Sequence, residues 1–110
     1  MINILLDECL PKKLKYRVEE LDSTFFVQTT PDMGWASLSN GKLLSVAEKE
    51  FDVFITSDKN LSFQQPIRSS SIQVVLLKAR TNTYEDLLPL VKKLPSVIKA
   101  HVPGKFIEIA

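Results

Sequence analysis

The chain is short of the residues that build covalent or metal cross-links. Cys9 is its only cysteine, so no intrachain disulfide can form, and a reducing cytoplasm is the expected compartment. One cysteine and one histidine, His101, fall short of the ligand set of a structural zinc site. An excess of either charge is missing too. The formal net charge of +1 gives no global attraction to nucleic acid or to a membrane, so any anion-binding site has to be local. No apolar run reaches membrane-spanning length, and the chain does not open on a basic segment followed by a long apolar one. A soluble intracellular protein with no membrane partner is expected. Repeats, low-complexity tracts and linker-like stretches are also lacking. With 110 residues, 45% of them hydrophobic and 25% charged, the chain is expected to form one domain spanning 1–110 around a genuine core.

What is present is an alternation of short apolar runs with amphipathic stretches. Ile2 to Leu6 is almost wholly apolar, which suits a strand covered on both faces. From Pro11, a residue suited to the first helical position, Leu14, Val18 and Leu21 continue the line of Leu10 along one helical face. "TFFVQTT" reads as a second strand and "PDMGWASLSNG" as a loop. Ser39 or Asn40 can cap a helix whose stripe is Leu43, Leu44, Ala47 and Phe51. Val53 to Ser57 and "IQVVLL" read as strands, separated by a polar loop through Gln64, Gln65 and Pro66. "TYED" resembles a capping box opening a helix that Pro89 should bend and Pro95 split, and "KFIEI" is a last strand. The βαβαβ order predicts an α/β sandwich with a largely parallel central sheet of about five strands.

Two of these strands end on acids. "INILLDECLP" leads into Asp7 and Glu8, and "FDVFITSDKN" leads into Asp58. In open parallel sheets ligands bind outside the carboxyl ends of the strands, so two carboxylates converging there call for protonation, a basic side chain or a cation. A hard cation such as Mg²⁺ takes oxygen ligands and bridges carboxylates to phosphate oxygens, which makes metal-assisted phosphodiester hydrolysis the chemical expectation. The bland alternative is a helix cap. It fits Asp58 if a helix starts near Asn60, and fits Asp7 less well because Pro11 lies too far downstream. Strand alternation turns Glu8 away from Asp7, so a solvated or hydrogen-bonded Glu8 competes with a ligating one. Lys59 is read either as a contact for the scissile phosphate or as a counter-charge for Asp58.

The motifs "LLDECLP", "GWASLSNGKLLSVAEKEFDVFITSDKNL" and "IQVVLL" resemble those of the PIN-like family of small bacterial proteins, relatives of VapC-like toxin ribonucleases. The resemblance covers nearly the whole chain. It implies a PIN-like three-layer sandwich and a metal-dependent ribonuclease, the toxin of a toxin–antitoxin pair, with RNA and an antitoxin-like protein as partners and a homodimer as a candidate assembly. Carried over residue by residue, it assigns catalysis and binding of Mg²⁺ or Mn²⁺ to Asp7 and Asp58. Asn40 and Glu8 join them as candidate ligands. The chain departs from the family pattern at Cys9, where asparagine is usual, and at "SNGKLL", where many members carry an acid.

Asn40 can still offer a neutral carbonyl oxygen to a metal. Glu48, further along that helix, is a weaker candidate ligand than a solvated surface residue. Lys12, Lys13, Lys15 and Arg17 form either a phosphate-binding flank or a solvated face, and the candidate RNA contacts are Lys59, Lys12, Lys13 and Arg17. Trp35 and Met33 are a contact patch or a cover for the core, and His101 a polar residue near a helix end. Two further functional classes stay open. One is a PIN-like binding module that has lost catalysis, which Asn40 favours. The other is a receiver-like phosphoacceptor domain with Asp58 as acceptor, against which stands the lack of a lysine after the last strand.

Overall fold

The computed structural model describes residues 1–59 and 70–110, so the loop with Gln64, Gln65 and Pro66, and the helix expected near Asn60, lie outside the described residues. Five strands, β1 (Ile2–Leu6), β2 (Phe25–Thr29), β3 (Val53–Thr56), β4 (Gln73–Leu77) and β5 (Phe106–Ile109), form one sheet in the order β2-β1-β3-β4-β5. Every neighbouring pair is parallel. The helices among the described residues are α1 (Leu14–Glu19), α2 (Asn40–Ala47), α3 (Tyr84–Val91) and α4 (Leu94–Lys99).

The continuous apolar runs follow from having helices on both faces. Alternation along β1 sends Ile4 and Leu6 into a cluster with Leu14 and Val18 of α1 and with Leu87, Val91, Leu94 and Ile98 of α3 and α4. Leu5 points the other way and joins Phe54 and Val74 against Leu43, Leu44 and Ala47 of α2. Ile4, Leu5, Phe54 and Val74 are 0% exposed. Each such side chain contributes roughly 1.5–3 kcal/mol by leaving water, so an acid on β1 or β4 would be excluded by cost alone. Along the inner strands β1, β3 and β4, acids occur only beyond the strand ends.

Helix boundaries show where local chemistry decides. Thr83 accepts a hydrogen bond from the Asp86 amide at 3.3 Å, the capping contact expected of "TYED". Pro89 is accommodated inside α3, while Pro95 sits in the first turn of α4 and marks the break between the two helices. α1 starts later than its pattern predicts. Pro11 lies in a turn in which the amides of Leu14 and Lys15 bond to the carbonyls of Pro11 and Lys12, and the helix proper begins at Leu14. No described helix is long and apolar enough to cross a membrane.

Candidate functional site

The strand order places a divergence of connections beside β1. From β1 the chain moves outward to β2, then returns to lay β3 on the other side, so the links leaving β1 and β3 part at their carboxyl ends and leave a crevice. Leu6 pairs with Ile55, and the Asp7 amide bonds to the Ile55 carbonyl at 2.9 Å, carrying the register one residue past β1. This sets Asp7 beside Thr56 at the end of β3.

The Asp7 carboxylate is held on both oxygens. Thr56 donates its hydroxyl to Asp7 Oδ2 at 2.7 Å, and the Glu8 amide donates to Oδ1 at 2.8 Å. Cys9 Sγ lies 3.5 Å from the same Oδ2 and 3.6 Å from Thr56 Oγ1, while Ser57 donates to Cys9 Sγ at 3.1 Å. The Asp58 amide donates to Thr56 Oγ1 at 3.0 Å, so one hydroxyl links the two acidic strand ends. Asp7 is 9% exposed, and its hydrogen bonds offset the cost of keeping a charge there. Burial pushes the Cys9 thiol up from its ordinary range, the nearby Asp7 carboxylate acts in the same direction, and the Ser57 hydrogen bond partly opposes both. Cys9 is therefore a neutral thiol at physiological pH.

Asp7, Glu8, Asn40 and Asp58 line one cleft of about 610 Å³, together with Cys9, Ser57, Lys59 and the segment Ala79 to Asn82 after β4. Four of the five sequence-predicted ligand candidates thus share a cavity, Glu48 being the exception. Asn40 reaches it as the first residue of α2, behind an extended Ser39 at the N-cap position whose side chain makes no capping bond. Asp7 does not cap a helix, since its side chain bonds within the turn that follows β1. Glu48 sits just past α2, away from the cleft lining, and its carboxylate accepts from Ser70 at 2.7 Å.

The predicted basic flank divides. Lys59 lines the main cleft and makes no ion pair among the described residues. Lys12 lines a smaller neighbouring cavity. Lys13 lies over the Tyr84 ring, 5.4 Å from its centre, and Arg17 pairs with Glu20 at 3.2 Å. Lys15 pairs with Asp32 at 3.8 Å. Trp35 meets Phe51 edge-on at 6.0 Å and packs with Met33 on the α2-side core, a covering role. His101 places Nδ1 2.9 Å from the Ile98 carbonyl at the end of α4.

Arg80, Thr81 and Asn82 were not anticipated as cleft residues. Their signal was available, because they follow the apolar run of β4 as Asp7 and Asp58 follow theirs. Arg80 is 90% exposed and stands 4.0 Å from Asp86. The Cys9–Ser57 contact joins segments 48 positions apart and has no local sequence signal.

Asp7, Asp58, Glu8 and Asn40 are oxygen donors of the kind a hard divalent cation takes. Among the described residues, no three acidic, His or Cys side chains are gathered tightly enough to enclose an ion. The donor set fits a cation carried on one or two carboxylates with water and substrate oxygens in the other positions, the habit of Mg²⁺. Comparisons of the chain with models of protein families, with curated proteins and with solved structures found no match.

Proposed function

We propose that this protein is a PIN-like, metal-dependent ribonuclease in which Asp7 and Asp58 hold Mg²⁺ or Mn²⁺ and the cleft receives an RNA phosphodiester. The observation that carries the reading is the shared cleft: the ends of adjacent strands β1 and β3 bring Asp7, Glu8 and Asp58 to one cavity that Asn40, Lys59 and Arg80 also line. When bound, the cation would polarise the phosphate and lower the pKa of an attacking water. Thr56 fixes the orientation of Asp7, and Lys59 and Arg80 attract and position the diester. Asn40 supplies a neutral oxygen where a third charge would tighten the site. The wider reading is a cytoplasmic toxin of a toxin–antitoxin pair that is restrained by an antitoxin-like protein and able to form a homodimer.

The test is cleavage of single-stranded RNA with Mn²⁺, with Mg²⁺ and with chelator. Metal-dependent cleavage that disappears in both Asp7→Asn and Asp58→Asn supports the reading. Cleavage that survives both substitutions contradicts it. Metal binding without cleavage in the wild type would favour the binding-module alternative.

A second reading has one specific observation behind it. The order β2-β1-β3-β4-β5 is shared by the doubly wound folds that include receiver domains, with the same crevice between β1 and β3. Asp58 would then accept a phosphoryl group. Incubation with acetyl phosphate and Mg²⁺, followed by intact-mass measurement, distinguishes the two: a phosphoryl adduct lost in Asp58→Asn would favour the receiver-like domain.

A further inference from the structure

We propose that the small cavity between the carboxyl ends of β1 and β2 seats one nucleobase of a single-stranded RNA whose adjoining phosphate lies in the main cleft; this rests on the ribonuclease reading above. The cavity measures about 190 Å³ and is walled by Leu6, Leu10, Pro11 and Pro31, with Thr29 and Lys12 as its polar groups outside the shared acids. Asp7 and Glu8 line both this cavity and the main cleft, so they form a ridge between the two. A ligand held on the metal side of Asp7 need only cross that ridge to enter.

Three features select a base. The volume is below the roughly 300–1,000 Å³ that takes a drug-sized molecule, and suits a single ring system. The aliphatic and prolyl walls offer apolar surface to a π-face without choosing among bases. The polar groups are placed for a nucleotide. Thr29 Oγ1 already accepts from the Asp32 amide at 3.2 Å, and no described acceptor takes its hydroxyl proton, which is left to donate to a base carbonyl or ring nitrogen. Within the basic flank of α1, Lys13, Lys15 and Arg17 are engaged elsewhere, whereas Lys12 makes no ion pair among the described residues and stands at this cavity, in place for the backbone phosphate next to a seated base. An aliphatic protein side chain would use the walls but leave Thr29 and Lys12 without a counterpart.

The experiment compares binding of a fluorescent oligouridylate with that of an abasic strand of equal length, with Ca²⁺ replacing Mn²⁺ to prevent cleavage. Pro31 is exposed at the cavity and has no amide hydrogen to lose, so Pro31→Phe fills the opening and Pro31→Ala widens it. The wild type and Pro31→Ala should bind the intact strand about tenfold more tightly than the abasic one, an effect of the size expected from burying part of one ring against apolar walls. Pro31→Phe should lose that ratio while keeping its affinity for the abasic strand, its Mn²⁺ affinity and its melting temperature. Equal binding of both strands by the wild type, with Mn²⁺ affinity intact and RNA still cleaved, overturns the base seat and leaves the ribonuclease reading standing. Absence of any RNA binding or cleavage overturns both. A ratio unchanged in a folded Pro31→Phe places the seated base elsewhere and overturns the assignment of this cavity.

Discussion

Asp52 and Asp58 flank the same strand, β3, at opposite ends of the sheet. Asp52 is spent on the fold. Its Oδ2 accepts from the Asn3 amide at 2.8 Å, its own amide bonds to the Asn3 carbonyl at 2.8 Å, and its carbonyl accepts from Gln73 at 3.0 Å, so one residue ties β1, β3 and β4 together. Asp58 lies at the end where connections diverge, beside Asp7, and lines the cleft. The two differ in neither residue type nor strand. What separates them is which end of a parallel sheet they occupy, because at the amino end the backbones of neighbouring strands bond the acid and at the carboxyl end the connections part.

Substitutions at the two ends should therefore fail in different ways. Asp58→Asn and Asp7→Asn are each expected to lower metal affinity or ribonuclease rate at least about 100-fold, the upper end of what losing even a group behind a metal ligand costs. Asp52→Ala should leave metal affinity unchanged and destabilise by about 1–3 kcal/mol, because it strips the Asn3 amide of its partner. Urea denaturation and metal titration of the three variants read both effects. A loss of metal affinity in Asp52→Ala would erase the contrast.

Thr56→Val sharpens it next. Valine keeps the shape but leaves Asp7 Oδ2 and the Asp58 amide without the hydroxyl. A loss of about 1–3 kcal/mol in stability and roughly tenfold in metal affinity is expected, with Thr56→Ser recovering most of both. Asn40→Asp should then tighten metal binding several-fold and raise any ribonuclease rate, since it adds a charge at the cleft with little change in shape, and aspartate tolerates a helix start as well as asparagine does. Unchanged affinity in the folded variant would remove Asn40 from the site.

The smallest effect is expected far from the cleft. Lys99 and Thr24 hydrogen-bond Asp22 and hold its carboxyl well below the usual carboxylate range. The folded state thus favours the ionised form, and the associated stability is present above the ordinary carboxylate pKa and is lost as pH falls through the lowered one. The Lys99 side chain is 56% exposed, so solvent screens the pair. Asp22→Asn should lower the melting temperature slightly near neutral pH, and the gap should close in strong acid. A gap that widens in acid would contradict the sign.

The inner strands were legible because burial on both faces leaves little room for charge: the run Ile2 to Leu6 is β1 to the residue, and Asp7 and Asp58 stood out by interrupting such runs. Helix α1 was legible as a face and not as a boundary, since a proline that suits a first helical turn equally suits the turn before it. The basic residues misled by proximity in sequence. Lys12 and Lys13 are neighbours, yet one lines a cavity beside the acids and the other rests on Tyr84, a residue of another helix. The support around Asp7 was hidden for the same reason, since its hydroxyl partner Thr56 is 49 positions away and only the parallel register brings them together.

The central claim is that Asp7 and Asp58 act as one cation site. Calorimetric titration with Mn²⁺ of the wild type, Asp7→Asn, Asp58→Asn and the double variant tests it most directly. The account predicts measurable binding in the wild type, near-complete loss in either single variant, and no further loss in the double variant, the non-additivity of two ligands to one ion. Equal Mn²⁺ affinity in all four folded proteins would contradict it.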